Sequence, residues 1–433
     1  MQSSSVKQQF TEVSRCISSL AFKLYRTLSI PGNFIFSPLG PYCALGMLYE
    51  GARGSTREAL SAHLDQDARR PLAPVLKALL DELHTRTQLT PQTLQSLQHA
   101  EVERRALVDR GEWKELREVL PDLFGTATAE DVRLDLAIAN GMWIQNTYPC
   151  RPEFLEILQA GMAAEVAQLD FKGQPAQASR IINAWVNNKT RGRIPAILSL
   201  ADLSPLTRAL LANALYFKAR WDTEFAAPEP GPFYLLDGTR VQAQMMTGTF
   251  WGLNYIDMGE FWMVELPYYE QPISLVILVP SARGATALLS LERQLHPSWS
   301  SAQQRLLRGR GGRGAAVTLT MPEFRIKAQH ELAPALSQLG LHQMFDEGAD
   351  FSGLSNEPGL YINRILQDTF ISVDQHGTEA TAVTMALMET GAFPREKLIA
   401  RTIDQPFLFV IVDKPSDVIL FLGKVVNPTQ EIP

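Results

Sequence analysis

The sequence has few cysteines and lacks long apolar runs. Its three cysteines are Cys16, Cys43 and Cys150, which are too few for a disulfide framework and lack the spacing of a metal site. We therefore expect small, buried, unpaired side chains at these positions. The longest apolar runs, such as residues 275–279, reach about a third of the length that a membrane-spanning helix needs. No contact with a membrane is predicted.

A large excess of charge of one sign is also missing. Lysine and arginine total 40 and aspartate and glutamate total 46, so the formal net charge is −6. This balance provides no general attraction to nucleic acid. With 45% hydrophobic and 20% charged residues, the composition is typical of a globular protein with a large core.

The sequence motifs of common enzymes are absent as well. There is no GxSxG, HExxH, CxxC or P-loop sequence, and the seven histidines are scattered singly. Gly309, Gly311 and Gly314 match GxGxxG, but they precede a predicted strand, whereas a dinucleotide site follows one. We predict that the chain is not an enzyme and that it needs no metal or cofactor.

Apolar periodicity predicts helices and strands in irregular order, which is typical of an α+β fold. The dipeptide Ser37-Pro38 predicts a helix start, with the Ser37 hydroxyl as the cap. Residues 275–279 and 317–321 are predicted strands. Residues 86–131 are rich in Gln, Glu and Arg, and we interpret them as an insertion.

A long segment after a predicted strand at residues 360–374 is the most informative part of the chain. About thirty residues separate it from the next apolar strand, and loops of this length inside compact domains are usually functional. The first half alternates between an uncharged, mostly small face and a face that carries the charges. The first face contains Thr378, Ala380, Ala382 and Thr384, and the second contains Glu379, Thr381 and Val383. Such a segment is suited to enter a β-sheet with its small face inward.

Six motifs together resemble the serpin family over nearly the whole chain apart from the insertion. They are FIFSP at 34–38, INAWVNNKTRGRI at 182–194, ANALYFKARW at 212–221, GTEATAVT at 377–384, PFLFVI at 406–411 and FLGKVVNP at 421–428. The branch that they resemble most is that of the plasminogen activator inhibitors. The resemblance implies one domain over residues 1–433, with three β-sheets, eight or nine helices and an exposed reactive-centre loop at residues 375–405.

By this resemblance, a serine protease attacks the loop and forms an acyl-enzyme, after which the cleaved loop enters the main sheet as a new strand. Gly377 would be the pivot, because glycine adopts backbone angles closed to other residues. The implied hinge comprises Gly377, Thr378, Glu379, Ala380, Thr381, Ala382, Val383 and Thr384. The implied protein is a monomer with a covalently bound serine protease as its partner. The alternative is a non-inhibitory serpin that acts as a carrier, chaperone or receptor ligand.

Two positions compete for the reactive bond. Counting back from Pro406 places the residue before the cut at Arg395, which is followed by Glu396. Counting forward from Gly377 places it at Gly391, which is followed by Ala392. Arg395 suits the acidic pocket of a trypsin-like protease, whereas Gly391-Ala392 suits an elastase-like one. We prefer Arg395, with Lys397 and Arg401 as further candidates.

The resemblance also identifies a region where the main sheet opens, comprising Ser37, Asn213, Gln367 and Trp221. Gln367 stands where many members have histidine, and its amide can both donate and accept hydrogen bonds. Gln375 and Glu323 stand where the family commonly has an acidic and a basic residue. We therefore expect the usual salt bridge at the top of the sheet to be absent. Trp221 is expected to pack in the core.

The compartment and any modification are left open by the sequence. The first thirty residues lack the compact apolar core of a signal peptide, which favours the cytoplasm. The family resemblance favours an extracellular protein, and we prefer that prediction. Asn188 begins an N-glycosylation sequon within a helical pattern. Its occupancy, the target protease and the need for a glycosaminoglycan are not predicted.

Overall fold

The computed structural model describes residues 2–28, 31–64, 70–87, 134–269, 271–295, 315–378 and 398–430. The predicted insertion at 86–131 lies outside these residues except for its first two. The hinge residues Glu379, Ala380, Thr381, Ala382, Val383 and Thr384 also lie outside them. The same holds for both candidate reactive bonds, Arg395-Glu396 and Gly391-Ala392.

Eight α-helices occur in the described part of the chain. They are α1 (Gln2–Leu28), α2 (Leu39–Gly51), α3 (Gly54–Leu64), α4 (Ala73–Arg86), α5 (Pro152–Met162), α6 (Pro175–Lys189), α7 (285–295) and α8 (Ala333–Leu336). Every residue of α2 is buried, so this helix is the central one. None of the described helices is both long enough and apolar enough to cross a membrane.

Sixteen strands in the described ranges form three sheets. They are β1 (Phe34–Phe36), β2 (Asp135–Gln145), β3 (Glu165–Leu169), β4 (Ala209–Arg220), β5 (Glu229–Tyr234), β6 (Arg240–Leu253), β7 (Tyr255–Asp257), β8 (Phe261–Pro267), β9 (Ile273–Pro280), β10 (Ala315–Pro322), β11 (Phe324–Glu331), β12 (Arg364–Asp374), β13 (Gly377–Thr378), β14 (Ile399–Thr402), β15 (Phe407–Asp413) and β16 (Val418–Val425). The predicted α+β class with three sheets is confirmed.

The main sheet has the order β11-β12-β13-β4-β2-β3. A second six-stranded sheet has the order β1-β16-β15-β9-β8-β7, and a four-stranded sheet has the order β14-β10-β6-β5. The strand predicted from residue 360 begins instead at Arg364. Leu360 and Ile362 are buried, but the Ile362 amide donates to the Met344 carbonyl rather than to a neighbouring strand.

The main sheet is covered on both faces by separate apolar clusters. Because successive side chains of a strand point to opposite faces, Leu211 and Ile365 belong to the large core. Leu210 and Leu366 belong to a smaller cluster with α6. We call the first face the rear face and the second the front face. Burial on both faces explains why β4 is apolar along most of its length.

Candidate functional site

The boundary between β4 and β12, which we call the seam, has two different parts. Residues 210–216 of β4 pair directly and in parallel with residues 364–370 of β12. Above them, β13 lies between the two strands and pairs antiparallel with both. Thr378 is opposite Ala219 on one side and Val373 on the other. The first two residues of the predicted hinge, Gly377 and Thr378, are therefore already part of the main sheet.

Thr378 is held on the rear face by an aromatic pair. Its side chain is fully buried, and its hydroxyl lies 2.7 Å from the Tyr268 hydroxyl. The Tyr268 ring stacks on Trp221, with centroids 4.8 Å apart and an interplanar angle of 9°. Burial raises the pKa of Tyr268, so this phenol stays protonated. Trp221 is itself buried, and it packs in the core as expected.

The turn between β12 and β13 is fixed by hydrogen bonds at both ends. One Asp374 carboxylate oxygen accepts from the backbone amides of His376, at 2.9 Å, and Gly377, at 3.2 Å. The Trp221 indole donates to the Asp374 carbonyl at 2.9 Å, and the Trp221 amide donates to the His376 carbonyl at 3.0 Å. The turn thus depends on Trp221 for its position over β4.

Charges at this end of the sheet are arranged differently from the family's usual salt bridge. Burial raises the pKa of both Glu323 and Asp374, and the Asp374 charge raises that of Glu323 further. On the other side of the hinge, His376 Nδ1 lies 3.1 Å from a Glu224 carboxylate oxygen. Glu224 also accepts from Arg220 Nε at 2.9 Å. The sequence interpretation missed this Arg220–Glu224 pair, because its members gain their role only beside the hinge.

Three of the predicted sheet-opening residues meet behind the seam. The Gln367 side-chain oxygen accepts from the Ser37 amide at 3.1 Å. Its nitrogen donates to the Ser37 carbonyl at 2.9 Å and to the Asn213 side-chain oxygen at 3.0 Å. Asn213 continues the network by donating to the Asn140 side chain at 2.6 Å. Gln367 therefore bridges β1, β4 and β12 at a buried position.

Gly40 makes this network possible by having no side chain. A Cβ atom at Gly40 would lie 1.8 Å from the Asn213 side-chain oxygen and 2.4 Å from the Gln367 side-chain nitrogen. Both distances are far below van der Waals contact. The sequence interpretation missed Gly40, although a glycine inside a helical pattern is a recognised sign of close packing.

The predicted cap at Ser37 is wrong. The residue before α2 is Pro38, and no side chain caps this helix. The Ser37 hydroxyl is buried and has no hydrogen-bond partner in the described part of the chain. Ser37 instead contributes its backbone amide and carbonyl to Gln367, because it directly follows β1 and lies against the rear face of the main sheet.

The front face of the seam contains a buried acid that the sequence interpretation missed. Asp368 is 1% exposed, and one of its carboxylate oxygens has no partner among the described residues. Burial raises the pKa of Asp368 to about 7, although the Lys327 charge opposes the shift. Asp368 lies within the stretch of β12 that pairs directly with β4. An ionised carboxylate here destabilises the closed seam.

Comparisons with known proteins agree with this architecture. Residues 16–428 match the family model described as serpin (serine protease inhibitor). The horse leukocyte elastase inhibitor is 30% identical over 96% of this chain and 100% of its own. An uncharacterized serpin-like protein of Thermococcus kodakarensis is 31% identical over 96% of this chain and 86% of its own.

The solved structures include a member with a different task. Human thyroxine-binding globulin, solved with thyroxine, superposes with a TM-score of 0.71 at 25% identity, covering 98% of this chain and 100% of that chain. Two of these relatives thus carry names that state a task, one as an elastase inhibitor and one as a thyroxine-binding globulin, and neither name is that of an enzyme.

Proposed function

Because this chain belongs to the serpin family of serine protease inhibitors, we propose that it is an irreversible inhibitor of a trypsin-like serine protease. The observation that carries the proposal is β13. Gly377 and Thr378 already form an antiparallel ladder with both β4 and β12. Further insertion of the loop only has to extend this ladder in the same register. In this proposal the chain is a single domain, and its reactive-centre loop comprises residues 375–405.

Extending that register has a definite consequence for the buried network. Thr378 is opposite Ala219 and Val373, so six residues further along Thr384 would come opposite Asn213 and Gln367. These two residues pair directly in the present sheet. Insertion would therefore replace their side-chain hydrogen bond, and the Thr384 hydroxyl, as a donor and acceptor, is able to take over.

The proposed bait is Arg395. The protease serine oxygen would attack the Arg395 carbonyl carbon, the bond to the Glu396 nitrogen would break, and the protonated amine would leave. Loop insertion would then separate the new ester from the Glu396 end. Arg401 is a poor alternative, because it lies in β14 and donates to the Tyr255 hydroxyl at 2.7 Å.

The elastase-like alternative, with Gly391 before the cut, is favoured by the horse leukocyte elastase inhibitor among the relatives. The resemblance to plasminogen activator inhibitors favours Arg395 instead. The two positions are distinguished by the peptide that cleavage releases, since it would begin at Ala392 in the first case and at Glu396 in the second.

The test is incubation of the full chain with trypsin, a plasminogen activator or leukocyte elastase, followed by denaturing gels and mass spectrometry. A complex with trypsin or the activator that survives denaturation, with a peptide beginning at Glu396, is expected. An Arg395→Ala variant should lose this complex, and protease with a blocked active-site serine is the matched control. Cleavage without any complex would contradict the proposal.

A non-inhibitory function is the second candidate, and the thyroxine-binding relative favours it. A carrier need not complete the insertion of its loop. If cleavage at Arg395 leaves the thermal unfolding midpoint unchanged, the carrier interpretation is preferred, because insertion of a strand should raise that midpoint.

We further propose action outside the cell, with the cytoplasm as the alternative. The sequon gives a direct test, since Asn188 is exposed in the last turn of α6. Thr190, the third residue of the sequon, is buried, and its hydroxyl donates a hydrogen bond to the Val186 carbonyl at 2.8 Å. Any glycan on Asn188 would therefore have to be attached before folding. Glycosidase treatment of the secreted protein would reveal it by a mass change.

A further inference from the structure

Two basic residues flank the front of the seam just below β13. Thr378 pairs with Ala219 on β4 and with Val373 on β12. The neighbouring residues of these strands, in the direction of further insertion, are Lys218 and Ser372. Arg325 on β11 is opposite Ser372 and donates from Nε to the Ser372 hydroxyl at 3.2 Å. Since Thr378 and its partners face the rear, Lys218, Ser372 and Arg325 all face the front.

The charges at this place are divided between the two sides of the seam. Lys218 is opposite Asp135 on β2, and Asp135 already forms a salt bridge of 2.8 Å with Arg191. On the β12 side, the Arg325 charge opposes the burial that raises the pKa values of Glu323 and Asp374, so it acts at this end of the sheet. On the β4 side of the seam two cations, Lys218 and Arg191, thus face one acid, Asp135, and this excess of positive charge favours a second carboxylate.

The ladder determines which residue would arrive there. The next residue after Thr378 is Glu379, and continuing both ladders by one step places it opposite Lys218 and Ser372. The next two front-face residues, Thr381 and Val383, are uncharged and would arrive opposite Phe370 and Asp368 of β12. Glu379 is therefore the first front-face side chain to insert and the only charged one in the hinge.

We propose that Lys218 and Arg325 form a receiving site for the Glu379 carboxylate and thereby guide the first step of loop insertion. This role deepens the proposed inhibitory function and rests on it. Lys218 and Arg325 are positioning residues, since neither touches the bond that the protease cleaves. They attract the Glu379 carboxylate at the start of the cleaved loop. In the proposed mechanism this loop must insert as a strand before the protease is deacylated.

The experiment is a double-mutant cycle with Lys218→Gln and Glu379→Gln, using trypsin as the protease. Each single change should slow insertion about fivefold, as expected for a partly exposed ion pair. The moles of inhibitor consumed per mole of protease should rise accordingly. The double variant should be no worse than Glu379→Gln alone, because the loss of the Glu379 charge already removes its attraction to both cations. Multiplied effects in the double variant would overturn the proposal.

The matched control is Lys189→Gln. Lys189 is exposed at the C-terminal end of α6, outside the two strands between which Glu379 would arrive. This change should leave the stoichiometry near that of the unmodified chain. An effect equal to that of Lys218→Gln would show that only the general charge matters and would contradict a specific site.

A second readout separates this proposal from the proposed function. The thermal unfolding midpoint is measured before and after the loop is cleaved, which needs no inhibition. If the unmodified chain forms no complex and gains no stability on cleavage, the inhibitory function itself fails. If the unmodified chain gains stability on cleavage, and the Lys218→Gln variant gains the same stability at the same rate, only the receiving site is wrong.

Discussion

The hydroxyl of Thr378 lies 2.7 Å from that of Tyr268 at the upper end of the seam, and the side chain of Thr378 is fully buried. Tyr268 follows β8 in the second sheet, whereas Thr378 belongs to the main sheet. The contact therefore joins two sheets at the point where the loop leaves the described structure. It makes the start of insertion a stable part of the uncleaved protein.

Under the proposed inhibitory function, Thr378→Arg should convert the protein from an inhibitor into a substrate. A guanidinium at this position would be buried beside Tyr268 without an acid to pair with, which costs several kcal/mol. The expected result on gels is cleaved protein without covalent complex. Thr402→Arg is the control, because Thr402 is exposed in β14. A normal yield of complex from Thr378→Arg would argue against insertion through β13.

Gly40→Ala should destabilise the protein by about 2–4 kcal/mol, since the new methyl group must displace the Asn213–Gln367 hydrogen bond. Chemical denaturation measures the loss. Gly161→Ala in α5 is the control, because the nearest atom to its added Cβ is the Ala73 Cβ at 3.1 Å, and alanine is favoured in helices. Equal losses in both variants would refute a special role for Gly40.

Much of the fold was predictable because its signals are local. The helix after Pro38 and the strands at 275–279 and 317–321 follow from apolar patterns within one segment. Contacts across the chain were not predictable in this way. Tyr268 and Thr378 are 110 residues apart, and nothing in either segment indicates the other.

The site was predictable only where a motif specified it. Gln367, Asn213 and Ser37 were identified from resemblance, and the structure brings them together. The prediction of a cap at Ser37 was wrong because the Ser-Pro sequence is the same whether the serine side chain caps the helix or lies against a buried sheet. Asp368 was missed since an acid between apolar residues is usually exposed, and only the pairing of β12 with β4 buries it.

Glu323→Lys should stabilise the hinge at neutral pH. The pKa values of Glu323 and Asp374 are both raised in the folded state, so their ionisation opposes folding at pH 7 and ceases to do so in acid. A lysine would remove one acid and attract the other. We expect an unfolding midpoint a few degrees higher at pH 7, by roughly 1 kcal/mol, with the gain lost near pH 4.

The control for this change is Glu229→Lys in β5, which makes the same charge change at an exposed position. It should leave the midpoint nearly unchanged at both pH values. If Glu323→Lys behaved in the same way, the two carboxyl groups would not interact enough to matter for the hinge.

Asp368→Asn should remove a pH-dependent loss of stability. Burial raises the pKa of Asp368 from its ordinary value of 3.8 to about 7 in the folded chain. At pH 4 and below, the folded chain holds this proton and the unfolded chain still holds it in large part, so the acid has little effect. As the pH rises towards 7 the unfolded chain loses its proton first, and the fold is destabilised by an amount on the order of 4 kcal/mol that is complete above pH 7. The variant should therefore match the parent at pH 4 and exceed it at pH 8.

Asp237→Asn provides the opposite sign. Hydrogen bonds from the Thr239 side chain and amide lower the pKa of Asp237, so ionisation of this exposed acid favours the fold, and its loss should lower the midpoint at pH 8. Thermal unfolding from pH 4 to pH 8 measures both variants. Since Asp368 lies in the stretch of the seam that the proposed insertion would separate, its ionised form would also favour opening. Asp368→Asn should thus insert its loop more slowly at pH 8, and a variant that is more stable yet inserts at the parental rate would show that this acid weakens the fold without assisting the opening of the sheet.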